Sequence, residues 1–227
     1  MIIRLRNLAV RAPVMADVAA VTHLMNICDE KDGGVAEETA QHLRDAWNSP
    51  DFQLAQDAWV VTTSTGDTVG YGVIRHDEEQ QLTFNLYVRP DHRERGIGTL
   101  LLWLLEERAR QLVNCDCYTQ PDESIVLRTT IVHTCEVARH LFEREGYSET
   151  RTFWRLAVEM EPDSETMRDG KLMVELELDA RNLTTTTRRR TGMYTARQYI
   201  VYEKVIWPGR ILNATEHEEL CLPASTH

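Results

Sequence analysis

A chain of 227 residues with 25 lysines and arginines against 36 aspartates and glutamates lacks the basic surplus that a nucleic-acid partner requires. It also lacks any run of the roughly 18 apolar residues that cross a membrane. The longest leucine-rich run, Leu100 to Leu105, passes directly into charged residues. The opening Met1-Ile-Ile-Arg-Leu-Arg-Asn7 has no apolar core of the kind an export signal carries. Five cysteines are an odd number, and Cys115-Asp-Cys117 has no second thiol pair beside it. Reduced thiols, a cytoplasmic setting and no metal are therefore the expectation. Two phosphate-binding motifs are missing as well. No Gly-Lys-Ser/Thr occurs, and Leu101 stands where a dinucleotide fingerprint needs its third glycine. What is present is a 42 % apolar composition, enough for a packed core, and a net charge of −11 that permits an amine substrate.

One stretch organises the rest. Phe84-Asn-Leu-Tyr-Val88 is rich in the aromatic and β-branched residues that suit a strand, and Pro90 ends it by having no N–H for a ladder. Arg93, Gly96 and Gly98 follow in the spacing R-x-x-G-x-G. Ile97, Leu100, Leu101, Leu104, Leu105, Ala109 and Leu112 then recur at helical intervals, with Glu106, Glu107, Arg108 and Arg110 opposite them. A strand, a glycine turn and a helix start together form an anion site. Glycine lets backbone N–H groups converge, and the helix start adds unpaired donors and a positive dipole end. Arg93 and Arg95 can add charge, and a diphosphate is the expected guest.

Along the chain, Ile2–Arg6 reads as an edge strand, 16–29 and 37–47 as helices, and 59–63 and 68–75 as strands leading into the central stretch. Beyond it come a strand at 125–132, a helix at 135–145 ended by Gly146, and a strand at 152–160. Residues 163–172 are polar and read as a linker. After them Met173–Asn182 and Arg197–Lys204 alternate as strands around the Thr- and Arg-rich segment 184–190.

The pattern V-x-P-x-x-R-x-x-G-I-G-x-x-L-L, met at every named position from Val88 to Leu102, resembles the acyl-CoA loop of the GNAT superfamily of N-acetyltransferases. Cys135, Ala138, Leu141, Phe142, Gly146 and Tyr147 resemble a second motif of that family, and the element order of residues 1–162 fits one GNAT domain. The resemblance implies a mixed α/β fold: a twisted, mostly antiparallel sheet with two splayed parallel strands, flanked by helices. At an offset of 46, Arg144, Gly146, Arg151 and Phe153 meet Arg190, Gly192, Arg197 and Tyr199. Residues 173–210 thus look like a strand-helix-strand remnant of a second GNAT unit, as in tandem members such as the mycothiol synthase group, with 211–227 as a tail.

The resemblance implies acetyl transfer from acetyl-CoA to an amine of a small molecule or peptide, by direct attack in a ternary complex. The diphosphate would lie against Arg93, Glu94 and the amides of Arg95, Gly96, Ile97, Gly98 and Thr99. The pantetheine arm would bond the backbone of Leu86, Tyr87 and Val88 as an added strand does. Freeing the lone pair of an alkyl-ammonium at pH 7 costs about 4–5 kcal/mol, and releasing a thiolate about 2 kcal/mol, so a base matters more than an acid. Phe142 stands where many members carry a tyrosine that serves as the acid. His133, at a strand end, is the candidate base, because imidazole titrates near neutral pH. Asn85 can orient a water. A non-catalytic acyl-CoA-binding module is the alternative that Phe142 motivates.

Overall fold

The computed structural model describes residues 3–5, 7–33, 36, 38–76, 81–114, 124–160, 172–179 and 193–207. Among them, β1 (Ile3–Leu5), β2 (Leu8–Arg11), α1 (Val18–Asp32), α2 (Ala40–Trp47) and the single turn α3 (Leu54–Asp57) come first. β3 (Ala58–Thr63), β4 (Thr68–His76), β5 (Leu82–Val88) and α4 (Ile97–Asn114) follow. β6 (Ile125–Val132), α5 (Glu136–Arg144), β7 (Ser148–Met160), β8 (Leu172–Asp179) and β9 (Met193–Trp207) complete the order. One sheet takes all nine strands, in the order β1-β2-β3-β4-β5-β6-β9-β7-β8. Every pairing is antiparallel except β5 with β6. The fold is the mixed α/β, GNAT-type architecture expected, with its helices on both faces.

Strand alternation divides the sheet into two faces. Ala58, Val60, Tyr71 and Val73 face one way and pack on Val18, Val21, Leu24 and Met25 of α1 and on Leu43 and Trp47 of α2. Ile74, Leu82, Phe84 and Leu127 face the other way, against Leu102, Leu105 and Ala109 of α4 and Phe142 of α5. Trp47 donates from Nε1 to the Tyr71 hydroxyl at 3.0 Å, and the Tyr71 ring stacks on Tyr87 with centroids 6.4 Å apart. This polar and aromatic contact ties α2 to β4 and β5.

The parallel pair is short. β5 and β6 are matched only at Leu82–Leu127 and Thr83–Arg128, and past Thr83 they separate. The far side of the gap is set by β9, which lies between β6 and β7 and pairs with both. β8 and β9 fall in the region set apart as a second unit, yet both are hydrogen-bonded into the one sheet. A strand can enter a sheet between two earlier strands only through non-local pairing, which residue order does not reveal. Segment 184–190, the greater part of the linker and the tail lie outside the described residues. Lys204 of β9 also pins both helices of its face, donating to Glu106 of α4 and to the carbonyl of Glu145 after α5, each at 2.8 Å.

α4 sits close to β4 because Gly70 and Gly72 present no side chains to it. A Cβ at Gly70 would lie 2.9 Å from Ile97 Cγ2, 3.1 Å from Val61 Cγ2 and 3.2 Å from Leu101 Cδ1. Ile97 opens α4, so this approach fixes the height of the helix start. Gly70→Val should therefore overpack the interface and cost about 1–3 kcal/mol in urea denaturation, with an unchanged m-value. Stability at or above that of the parent chain would show that the packing is loose there.

Candidate active site

The separation of β5 from β6 opens a cavity of about 860 Å³ that reaches both faces of the sheet. Its wall on the α4–α5 side is made by Gly96, Gly98 and Thr99 and by Val137, Ala138, Leu141 and Arg144. On the α1–α2 side it is lined by Cys28, Asp29, Asp32, Glu38 and His42. Leu86, Tyr87 and Val88 form the β5 wall, where β6 is no longer paired with them.

The glycine turn has the geometry of an anion cradle. Glu94 and Gly96 both take left-handed backbone angles, φ +61° and +82°, on either side of Arg95. Gly96 suits that angle without strain, and its carbonyl accepts from Leu100 N–H at 3.0 Å to begin α4. The first amides of a helix have no partner within it, and Gly98 and Thr99 in the first turn of α4 line the cavity. Of the expected cofactor-binding residues, Leu86, Tyr87, Val88, Arg93, Glu94, Gly96, Gly98 and Thr99 line it. Ile97 is buried in the core beneath, and Arg95 is exposed outside the lining.

Arg93 has a different task from the one its spacing suggested. Its guanidinium donates to both Asp32 oxygens at 2.7 and 2.6 Å and to the Val88 carbonyl at 3.1 Å. It clamps the end of α1 to the end of β5, so its charge is already paired. Arg144, which the sequence reading passed over, brings a guanidinium to the helix start instead. It donates to Thr99 Oγ1 at 2.7 Å and to Glu145 at 2.8 Å. Its only sequence signal is a basic residue in the last turn of the helix expected beside the loop.

The two catalytic candidates separate. Asn85 lines the cavity from β5. His133 does not line it: the residue lies past the end of β6, is exposed, and is held by its backbone N–H to the Gln198 carbonyl at 2.9 Å. The chain turns there, with the Thr134 hydroxyl bonded to the Asp32 carbonyl. A different imidazole is present in the cleft. His42 Nδ1 lies 2.8 Å from Glu38 Oε1, and Glu38 is fixed by two backbone hydrogen bonds with Asn26, at 3.0 and 3.2 Å. Glu-x-x-x-His spacing behind the N-cap Thr39 was the available signal, since i and i+4 side chains meet on a helix.

Other groups are ruled in or out by their environment. Phe142 is buried in an aromatic cluster with Phe84, Tyr147 and Tyr202 and offers no proton. Tyr147 is buried away from the cavity lining, its hydroxyl without a hydrogen-bond partner. Burial, reinforced by Asp29 and Tyr71, raises the Tyr87 phenol far above its usual range, so it stays a neutral donor in the cleft. Burial likewise pushes the Cys28 and Cys135 thiols up to about 11. Neither is poised as a nucleophile at neutral pH. Among the described residues no cluster of three or more metal-ligating side chains occurs, and no helix is long and apolar enough to cross a membrane.

Comparison with known proteins agrees with this geometry. Residues 55–149 match the family model of the acetyltransferase (GNAT) domain, a span that holds β3 to α5 and the glycine turn. Over those residues the chain is similar to a GNAT acetyltransferase domain, a family whose general chemistry is acetyl transfer. A GCN5-related N-acetyltransferase from Sphaerobacter thermophilus superposes with a TM-score of 0.74 at 18 % identity, covering 92 % of this chain and 99 % of that one. YncA, a putative acetyltransferase from Salmonella typhimurium solved with its cofactor acetyl-CoA, gives 0.56 at 16 %, with 92 % and 99 % covered. The ribosomal-protein-S18-alanine N-acetyltransferase of Escherichia coli gives 0.53 at 13 %, with 91 % and 98 % covered. No curated protein matches the chain.

The raised thiols make a direct prediction. At pH 8 a thiol titrating near 11 is about 0.1 % thiolate, against roughly a quarter for an ordinary cysteine. Alkylation of Cys135 by iodoacetamide, followed by mass spectrometry, should be slow at pH 8 and accelerate steeply above pH 10. Rapid labelling at pH 8 would mean that the thiol is activated.

Proposed function

We propose that the protein transfers the acetyl group of acetyl-CoA to an amine of a small molecule or peptide, by direct attack while both substrates are bound. One observation carries the reading: a single cavity passes through the sheet between β5 and β6, with an amide-lined helix start at one mouth and a carboxylate–imidazole pair at the other. The Arg95–Thr99 amides and the Arg144 guanidinium suit a diphosphate. The unpaired backbone of Leu86 to Val88 suits the amides of a pantetheine arm.

On the α1–α2 side, His42 takes a proton from the incoming ammonium, and Glu38 orients the ring and stabilises its charged form. Asn85 and the Tyr87 hydroxyl are donors to the groups that pass between. The amine nitrogen bonds to the thioester carbon, the carbon–sulfur bond breaks, and sulfur leaves with the electron pair. A backbone N–H near Val88 faces the carbonyl oxygen as its negative charge grows. With Phe142 in the acid's usual place, sulfur leaves as the thiolate, only about 2 kcal/mol above the thiol at pH 7; it then takes a proton from solvent, and the nitrogen sheds its remaining extra proton to solvent as the amide forms.

A second reading, a non-catalytic acyl-CoA-binding module, has Phe142 in its favour. A thiol-release assay over small amines, polyamines, aminosugars and peptides, with acetyl-CoA affinity measured alongside, separates the two. Transfer predicts amine-dependent thiol release. His42→Ala should lower kcat about 10²–10⁴-fold at neutral pH and recover as the pH rises and the acceptor deprotonates unaided. Binding of acetyl-CoA without release for any amine would leave the module reading in place.

A further inference from the structure

An indole on the outside of α4 has no part in the core or in the cleft. Trp103 is 56 % exposed, although its neighbours Leu102 and Leu104 are buried in the core. Thr99 precedes it by one helical turn, so the two side chains share a face, about 6 Å apart along the axis. Beside them lies a second hollow, of about 450 Å³, whose lining includes Gly96, Thr99, Leu100, Trp103, Glu106 and Glu145. Gly96 and Thr99 also line the cavity between β5 and β6, so the two spaces meet at the glycine turn.

The chemistry of this hollow selects its occupant. Two carboxylates stand on its rim, yet each is already balanced. Glu106 is met by Lys204 at 2.8 Å and Arg110 at 3.0 Å, and Glu145 by Arg144 at 2.8 Å. A bound cation would add charge to a set that needs none. What remains is an exposed aromatic face, leucine beside it, and hydrogen-bond acceptors at the edge. A flat, uncharged heteroaromatic ring bearing an amino group suits all three, since it stacks on the indole and donates to a carboxylate. Position narrows the choice further. Coenzyme A with its diphosphate on the α4 amides and its thioester arm in the cavity has a nucleoside left over. That nucleoside is joined directly to the diphosphate, so it lies outside the cavity, beside the first turns of α4.

Resting on the acetyl-CoA reading above, we infer that Trp103 is the stacking platform for the adenine ring of the cofactor. Gly96 and Thr99 mark where the ligand passes from one space to the other. Arg144, bound to Thr99 Oγ1 at 2.7 Å, sets positive charge beside that passage. The preferred donor is then a free nucleotide thioester. The same acetyl group carried on phosphopantetheine alone binds less tightly, because it leaves the indole uncovered.

The test is calorimetric titration of the parent chain, Trp103→Ala and Trp103→Phe with acetyl-CoA and with S-acetyl-4′-phosphopantetheine. Trp103→Ala should weaken acetyl-CoA binding about tenfold, as the loss of one base–aromatic stack does, and leave the affinity for the truncated ligand unchanged. Trp103→Phe should keep most of the acetyl-CoA affinity. A second arm uses the nucleotide end alone. Adenosine 3′,5′-bisphosphate should quench the tryptophan emission of the parent and leave that of Trp103→Phe unchanged. Equal acetyl-CoA affinity in the parent and Trp103→Ala overturns the platform and leaves the transfer reading intact. An equal loss for both ligands also overturns it, since the indole would then support the fold of the site. So does a parent dimer that Trp103→Ala converts to a monomer at unchanged affinity, because a second copy would then cover the indole. Acetyl-CoA binding that depends on Trp103, with no amine acetylated, leaves the platform in place and removes the transfer reading.

Discussion

Two parallel strands that share only two paired positions must part, and the rest of the site depends on that parting. Beyond Thr83, β5 has no ladder partner on its β6 side, so backbone groups that a continuous sheet would have satisfied are open to a ligand. The same gap joins the two faces of the sheet, which elsewhere are sealed from each other by packed side chains. A cleft that passes through a sheet lets one substrate enter from the α4–α5 side and the other from the α1–α2 side. In the proposed reaction their reactive ends meet inside the sheet.

Charge is distributed along this passage by committed pairs as much as by available groups. Arg93 is bound to Asp32, which leaves it a brace between α1 and β5. The cationic contribution at the helix start comes from Arg144, which is well exposed and held by Thr99. On the other side, Glu38 is fixed through Asn26 before it meets His42, so the imidazole has a defined neighbour although it is itself mostly exposed. The Trp47–Tyr71–Tyr87 contact keeps α2 in place against the sheet, and with it the position of His42.

Legibility from sequence followed how local each feature is. The run from Phe84 to Ala109 was readable because a strand, a proline stop, two glycines and an amphipathic helix each leave their mark within a few residues. The left-handed angle at Gly96 follows from that spacing. β6 was read with its observed ends for a similar reason. β9 was not placed, because its position between β6 and β7 rests on pairing with residues about 35 to 80 positions earlier, a relation that its alternating pattern cannot express. The role of Arg93 was missed in the same way, since Asp32 lies 61 residues from it in the chain. Glu38 and His42 had the right helical spacing, but their relation to the cleft depends on where α2 docks. His133 showed the converse: a plausible residue type at a plausible strand end, turned out of the cavity by the backbone after Val132.

The central claim is that the amides at the start of α4 hold the diphosphate of coenzyme A. It is tested most directly by titrating the protein calorimetrically with acetyl-CoA and, separately, with S-acetylpantetheine, which has the same thioester arm and no diphosphate. The account predicts that affinity falls by about a hundredfold or more for the truncated compound, the loss of several charge-assisted hydrogen bonds. Equal affinity for the two, or no binding of acetyl-CoA, would contradict it.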